Sequence, residues 1–128
     1  MIIVLIVVFF TGNVETAFDA TLMSRICNGK IFSFFDDRFG VPSDILDLVI
    51  AKTVGVPGSV VNTKISHSGT LYGAAYCSRS LTLLDCSGCL GSAKSLLFET
   101  CSAHGEGAQV HLKDCDLRYE AYPISDVR

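Results

Sequence analysis

Six cysteines offer the first chemistry in this chain: Cys27, Cys77, Cys86, Cys89, Cys101 and Cys115. Thiols at such density exchange electrons, bind metal or cross-link the fold. Cys86-Ser87-Gly88-Cys89 has the two-residue gap of a redox pair. A redox pair, however, opens its helix after a buried parallel strand, where the helix end lowers a thiol pKa. Here the pair falls beyond the first turn of a predicted helix, with no βαβ unit before it. Cys86-x2-Cys89-x11-Cys101-x2-His104 has the form of a zinc site with three thiolates and one imidazole. That reading leaves Cys27, Cys77 and Cys115 without a role. Disulfides use all six residues, with 15 pairings open to them, and each bridge would contribute about 2–4 kcal/mol by restricting the unfolded chain.

The start of the chain points to the same oxidising compartment. Residues 2–10 are uninterruptedly apolar, from Ile2 to Phe10, and Thr11–Ala17 turns polar and ends on a small residue. Nine apolar residues are short of the roughly 20 that span a bilayer, but they suit the core of a secretory signal peptide. We therefore expect a leader over residues 1–17 and a single secreted, unanchored domain over residues 18–128. A chain of 128 residues has room for one core. Ten Lys and Arg against thirteen Asp and Glu give a net charge of −3. That excludes a simple nucleic-acid footprint and a cationic peptide drawn to anionic membranes.

The elements that must position the cysteines are readable from periodicity. Ala20–Cys27 and Lys30–Phe35 lean towards strand around a Cys27-Asn28-Gly29 turn, with Phe32, Phe34 and Phe35 as core. Pro42-Ser43-Asp44 opens a helix, with Ser43 as the expected N-cap and Asp44 and Asp47 near its positive end. Ile45, Leu48 and Val49 mark its buried face, joined by Leu46 and Ile50. Val60–Ile65 and Thr70–Cys77 read as two strands. Thr82-Leu83-Leu84-Asp85 resembles a capping box and opens a second helix running to about Thr100. On that helix Cys86, Cys89, Leu90, Ala93, Leu96 and Leu97 share one face. Gly88 and Gly91 weaken it by roughly 1 kcal/mol each, so cross-links on the buried face would help to hold it. Ala108, Val110 and Leu112 then alternate with Gln109, His111 and Lys113. Leu117, Tyr119 and Ala121 alternate with Arg118 and Glu120. The pattern predicts an α+β fold: a mostly antiparallel sheet, helices on one face and solvent on part of the other.

Cys77 to Cys89 has the spacing C-x8-C-x2-C. It is preceded by Leu71-Tyr72-Gly73-Ala74-Ala75 and followed by Val110-His111-Leu112-Lys113-Asp114-Cys115 and Tyr119-Glu120. In these residues the chain resembles the plant stress-antifungal domain family, the ginkbilobin-like or cysteine-rich secretory repeat, from about Phe18 to Ile124. The resemblance implies a five-stranded antiparallel sheet with two helices packed on it. It also implies the pairs Cys27–Cys101, Cys77–Cys86 and Cys89–Cys115. Its functional implication is a secreted, apoplastic defence protein, lectin-like and antifungal, with a mannose-type glycan of the fungal wall as partner. The same fold also serves as a protein-interaction module without sugar affinity.

The family's mannose site maps onto Asn28, Gln109 and Glu120. Gln109 stands where the family has Arg, so a neutral amide replaces a charge-assisted donor. Arg118, two residues before Glu120 on the same strand face, is expected to supply the missing guanidinium. Asn28 before Gly29 is equally an ordinary turn residue, and Gln109, Arg118 and Glu120 an ordinary solvated strand face. His67, His104 and His111 are expected on loops or the surface. With the cysteines paired there is no thiol nucleophile, and no phosphate-binding glycine loop, G-x-S-x-G or H-E-x-x-H occurs. We expect a binding protein, not an enzyme, with no cofactor and no metal.

Overall fold

Alternation of apolar and polar residues builds a sheet that can bury only one face, and two helices cover that face. The computed structural model describes residues 18–66 and 68–127. The expected leader over residues 1–17 and His67 lie outside the described residues. The elements are β1 (Leu22–Cys27), α1 (Pro42–Val54), β2 (Val60–Ser66), β3 (Thr70–Cys77), α2 (Leu83–Thr100), β4 (Gly107–Leu112) and β5 (Cys115–Glu120). The strands form one antiparallel sheet in the order β1-β4-β5-β3-β2. β5 is therefore central, and β1 and β2 are the edges. This is the predicted α+β architecture.

Leu71, Ala75, Val110, Leu112, Leu117 and Tyr119 from the sheet meet Ile45, Leu46 and Val49 of α1 and Leu90, Ala93 and Leu97 of α2. Leu48, Ile50 and Leu96 sit only half-buried at the rim of this core. Thr82 Oγ1 accepts a hydrogen bond from the Asp85 backbone N–H at 3.1 Å, which is the capping half of the expected box. Of the two glycines in α2, Gly88 has a packing reason. A Cβ there would lie 2.7 Å from the Phe18 ring, so the missing side chain admits that aromatic. Nothing packs against Gly91.

All six cysteines are paired, as Cys27–Cys101, Cys77–Cys86 and Cys89–Cys115. This is the pairing that the family resemblance implies. It removes the zinc alternative, since each of its three thiolates is consumed in a bridge. Its fourth member, His104, stacks on Phe39 and pairs through Nδ1 with the Phe39 carbonyl at 2.6 Å.

The structure corrects the reading between β1 and α1. Lys30–Phe35 is not a strand; a single bridge joins Ile31 to Gly105, and turns follow. Local side chains take the backbone donors that a ladder would need. Ser33 Oγ accepts from the Phe35 N–H, and Asp36 Oδ1 accepts from the Arg38 N–H at 2.8 Å. Phe32 is core at 4% exposure, but Phe34 and Phe35 stand out at 75% and 91%. Ser43 is not the N-cap either. The helix starts two residues earlier, at Pro42, with Val41 as the cap and no side-chain capping bond. Proline suits that first position because its missing N–H would be unsatisfied there anyway.

Two stability measurements check these assignments. In denaturant unfolding, Phe32→Ala should cost about 3–5 kcal/mol, whereas Phe35→Ala should stay within about 0.5 kcal/mol of the parent. Thr82→Ala should cost about 1 kcal/mol through loss of the cap; an unchanged midpoint would show that the Thr82 bond contributes nothing.

Candidate functional site

Residues directly opposite one another in an antiparallel ladder project on the same face of the sheet. On the face away from the helices, Ile26 pairs with Gln109, Gln109 with Arg118, Arg118 with Ala74, and Ala74 with Asn62. One step along the ladder, Gly107 pairs with Glu120, and Glu120 with Tyr72. These registers bring Gln109, Arg118 and Glu120 together. The turn after β1 adds Asn28, whose backbone N–H donates to the Gly107 carbonyl at 2.8 Å.

The four sequence-derived residues line one cavity of about 240 Å³, with Ile26, Ala108 and Tyr122 completing the wall. Asn28 Oδ1 accepts from the Lys30 backbone N–H at 2.9 Å. The turn role is thus real, and it leaves the side-chain NH2 as a donor for the cavity.

Arg118 organises the floor. Its Nε donates to Glu120 Oε2 at 2.8 Å, one terminal nitrogen to the Asp126 carbonyl at 2.7 Å, and the other to the Tyr122 hydroxyl at 3.0 Å. Three of the five guanidinium N–H groups are thereby committed, and each terminal nitrogen keeps one. Burial works against the Arg118 charge, but the hydrogen bond and charge of Glu120, with Tyr122 adding, outweigh it and hold the pKa above its ordinary value.

The strand face is not simply solvated, as the sequence suggests. Glu120 is only 6% exposed and Asp116 is fully buried, paired through Oδ1 with His111 Nδ1. Part of this face is covered by the segment after β5. It returns across the open face, with the Asp126 carbonyl on Arg118 and Val127 buried beside Val60 and Tyr76.

Gly107 is a site residue that sequence reasoning missed. A Cβ there would overlap Glu120 Oε1, so only glycine lets that carboxylate lie against β4. Tyr122 was missed too, although the parity of residues 118, 120 and 122 points to it. On the opposite face burial pushes the Tyr119 phenol well above its ordinary pKa, with the Glu120 charge adding. Its hydroxyl donates to the Gly105 carbonyl at 2.8 Å and fixes the loop that leads into β4.

Chemically, the cavity offers amide and guanidinium donors, a carboxylate acceptor and an amide that does both, beside a half-exposed phenol ring. Its two full charges neutralise each other. Such a set suits a small neutral polyol better than an ion. The cavity falls just below the roughly 300–1,000 Å³ of drug-sized sites, which matches one ring rather than a long chain.

Comparison with known proteins bears on the whole domain. Residues 43–122 match the family model described as salt stress response/antifungal. An antifungal protein, ginkbilobin-like protein 2 of Picea glauca, is 30% identical over 128 residues, covering 94% of this chain and 92% of that one. An antimicrobial ginkbilobin-2-like protein of Castanea crenata is 43% identical over 63 residues, 49% of this chain and 26% of its own length. Cysteine-rich repeat secretory protein 55 of Arabidopsis thaliana is 33% identical over 92 residues, 70% of this chain and 34% of its own. The chain thus spans about a quarter to a third of those last two relatives.

The solved tandem DUF26 ectodomain of the Arabidopsis thaliana cysteine-rich receptor-like protein PDLP5 shares the fold. Its TM-score is 0.70 at 19% identity, over 80% of this chain and 51% of that chain. Three disulfides, with a secretory relative, fit an extracellular domain. The family match over most of the sheet and both helices, and a relative matched along nearly its whole length, lead to one conclusion: this chain belongs to the salt stress response/antifungal family of ginkbilobin-like domains.

Proposed function

We propose that this domain is a lectin-like defence protein that binds a mannose-type sugar in the Asn28–Gln109–Arg118–Glu120 cavity and restrains fungi by holding their wall glycans. It acts by binding, without catalysis. One observation carries the reading: residues from the β1 turn, β4 and β5 converge on a single charge-neutral cavity the size of one sugar ring. Arg118 stands directly across the β4–β5 pair from Gln109, so the guanidinium that the family carries on one strand is offered here from its neighbour. Relatives named as antifungal support the biological side.

A second reading, a secreted protein-interaction module without sugar affinity, draws on a different feature. Phe34 and Phe35, in edge contact with each other at 5.7 Å between ring centroids, protrude into solvent. Such a tip suits a protein partner.

Retention on mannan resin, with elution by free mannose, separates the two. The parent should be retained, and Arg118→Ala and Glu120→Gln should each weaken retention by about tenfold or more, as expected for lost charge-assisted bonds. Gln109→Arg alone should gain little, because it sets two guanidinium groups opposite each other. The exchange Gln109→Arg with Arg118→Gln should restore binding. Parent protein that passes through unretained would rule out the sugar reading in favour of the second.

Gly107→Ala offers an independent check. It should displace the Glu120 carboxylate and abolish retention while the circular dichroism spectrum stays that of the parent. Full retention by this variant would show that the carboxylate does not contact the sugar.

A further inference from the structure

The sugar cavity has a neighbour of opposite electrical character. A shallower groove of about 440 Å³ is lined by Lys52, Asn62, Thr63, Lys64 and Tyr72. Two ammonium groups and no carboxylate line it, in a chain whose net charge is −3. Lysine on an edge strand such as β2 also discourages edge-to-edge pairing, which would account for Lys64 alone. It does not account for Lys52, which comes from the last turn of α1 and donates to Thr63 Oγ1 at 2.9 Å on the helix side of β2. Two different elements thus bring positive charge to one groove that wraps the β2 edge, Lys52 from the helix side and Lys64 from the open side.

Tyr72 joins the groove to the sugar cavity. It is the ladder partner of Glu120 on one side and of Lys64 on the other. The three side chains therefore share the open face in one row across the sheet. Two strand spacings, about 10 Å, separate the Glu120 and Lys64 positions. In a saccharide chain that span takes in one intervening ring. The half-buried Tyr72 ring between them offers an amphipathic surface against which a sugar ring can lie.

We infer that the Lys52–Lys64–Tyr72 groove is a second subsite, which takes the anionic group of an acidic glycan while a neutral unit of the same chain occupies the Asn28–Glu120 cavity. The anion is a carboxylate or a phosphate ester; both accept charge-assisted bonds from ammonium groups. The inference rests on the sugar reading above, and it adds a substrate class: chains that carry acidic units beside neutral ones.

The test titrates the oxidised protein with neutral mannan oligosaccharide, phosphorylated mannan oligosaccharide and a uronate oligosaccharide of matched length. At least one acidic probe should bind about tenfold more tightly than the neutral one. The advantage should vanish at about 1 M salt, where screening acts within about 3 Å. It should also vanish in Lys52→Gln/Lys64→Gln, whose affinity for neutral mannan should equal that of the parent. Which acidic probe gains identifies the anion. Equal affinity for acidic and neutral probes overturns the subsite and leaves the sugar cavity standing. So does an acidic preference that survives the double variant. Acidic binding that is lost in the double variant but indifferent to Glu120→Gln, without any neutral binding, keeps the groove and removes the mannose cavity. Self-association through β2 without affinity for any probe overturns both.

Discussion

One turn of α2 is welded to one rung of the sheet. Cys86 and Cys89 stand three residues apart on the helix, hence on the same side of it. Their partners, Cys77 and Cys115, face each other across the β3–β5 ladder. The two bridges therefore fix the helix to adjacent positions on two neighbouring strands, one of them the central strand. A single covalent link would leave the helix free to swivel about it; two links to a common rung do not. The third bridge, Cys27–Cys101, closes the far end of α2 onto the end of β1. A helix interrupted by two glycines is thus held at both ends of its buried face, and the core between helix and sheet can pack in one arrangement.

The candidate sites inherit this rigidity from the other side of the same strands. β5 presents Leu117 and Tyr119 to the core and Arg118 and Glu120 to the opposite face. A strand whose inner face is locked by a disulfide and close packing cannot slip in register, since a one-residue slip would exchange its two faces. The positions of Arg118 and Glu120 are therefore set from beneath. From above, the returning segment caps the arginine through the Asp126 carbonyl, and Gly107 leaves room for the carboxylate. The cavity is pre-formed on strands rather than on mobile loops, which lowers the ordering cost of binding.

Much of this was legible in the sequence, and for definable reasons. Strands β3 to β5 declare themselves because one face of each must be buried, and that constraint writes a period of two into the residues. The same parity places Arg118 with Glu120. The region before α1 was not legible, because three phenylalanines carry strand propensity while Ser33 and Asp36 divert the backbone donors needed for pairing. Propensity averages over residues, and a few short side-chain bonds override it. The Pro42 start was hidden by an adjacent serine that looks like a better cap. The burial of Asp116 and Glu120 was beyond reach for another reason. It depends on cross-strand neighbours such as His111 and Gly107, contacts that leave no periodic trace.

The chain contains no tryptophan and four tyrosines, Tyr72, Tyr76, Tyr119 and Tyr122. Their placement divides the ultraviolet emission of the protein by function. Tyr119 is sealed in the core, with its hydroxyl engaged by a backbone carbonyl. Tyr122 lines the Asn28–Glu120 cavity, Tyr72 lines the cationic groove, and Tyr76 lies beside the returning segment. With no indole to absorb their excitation, the phenols at the two concavities are optical reporters already built into the surface, one for each candidate subsite.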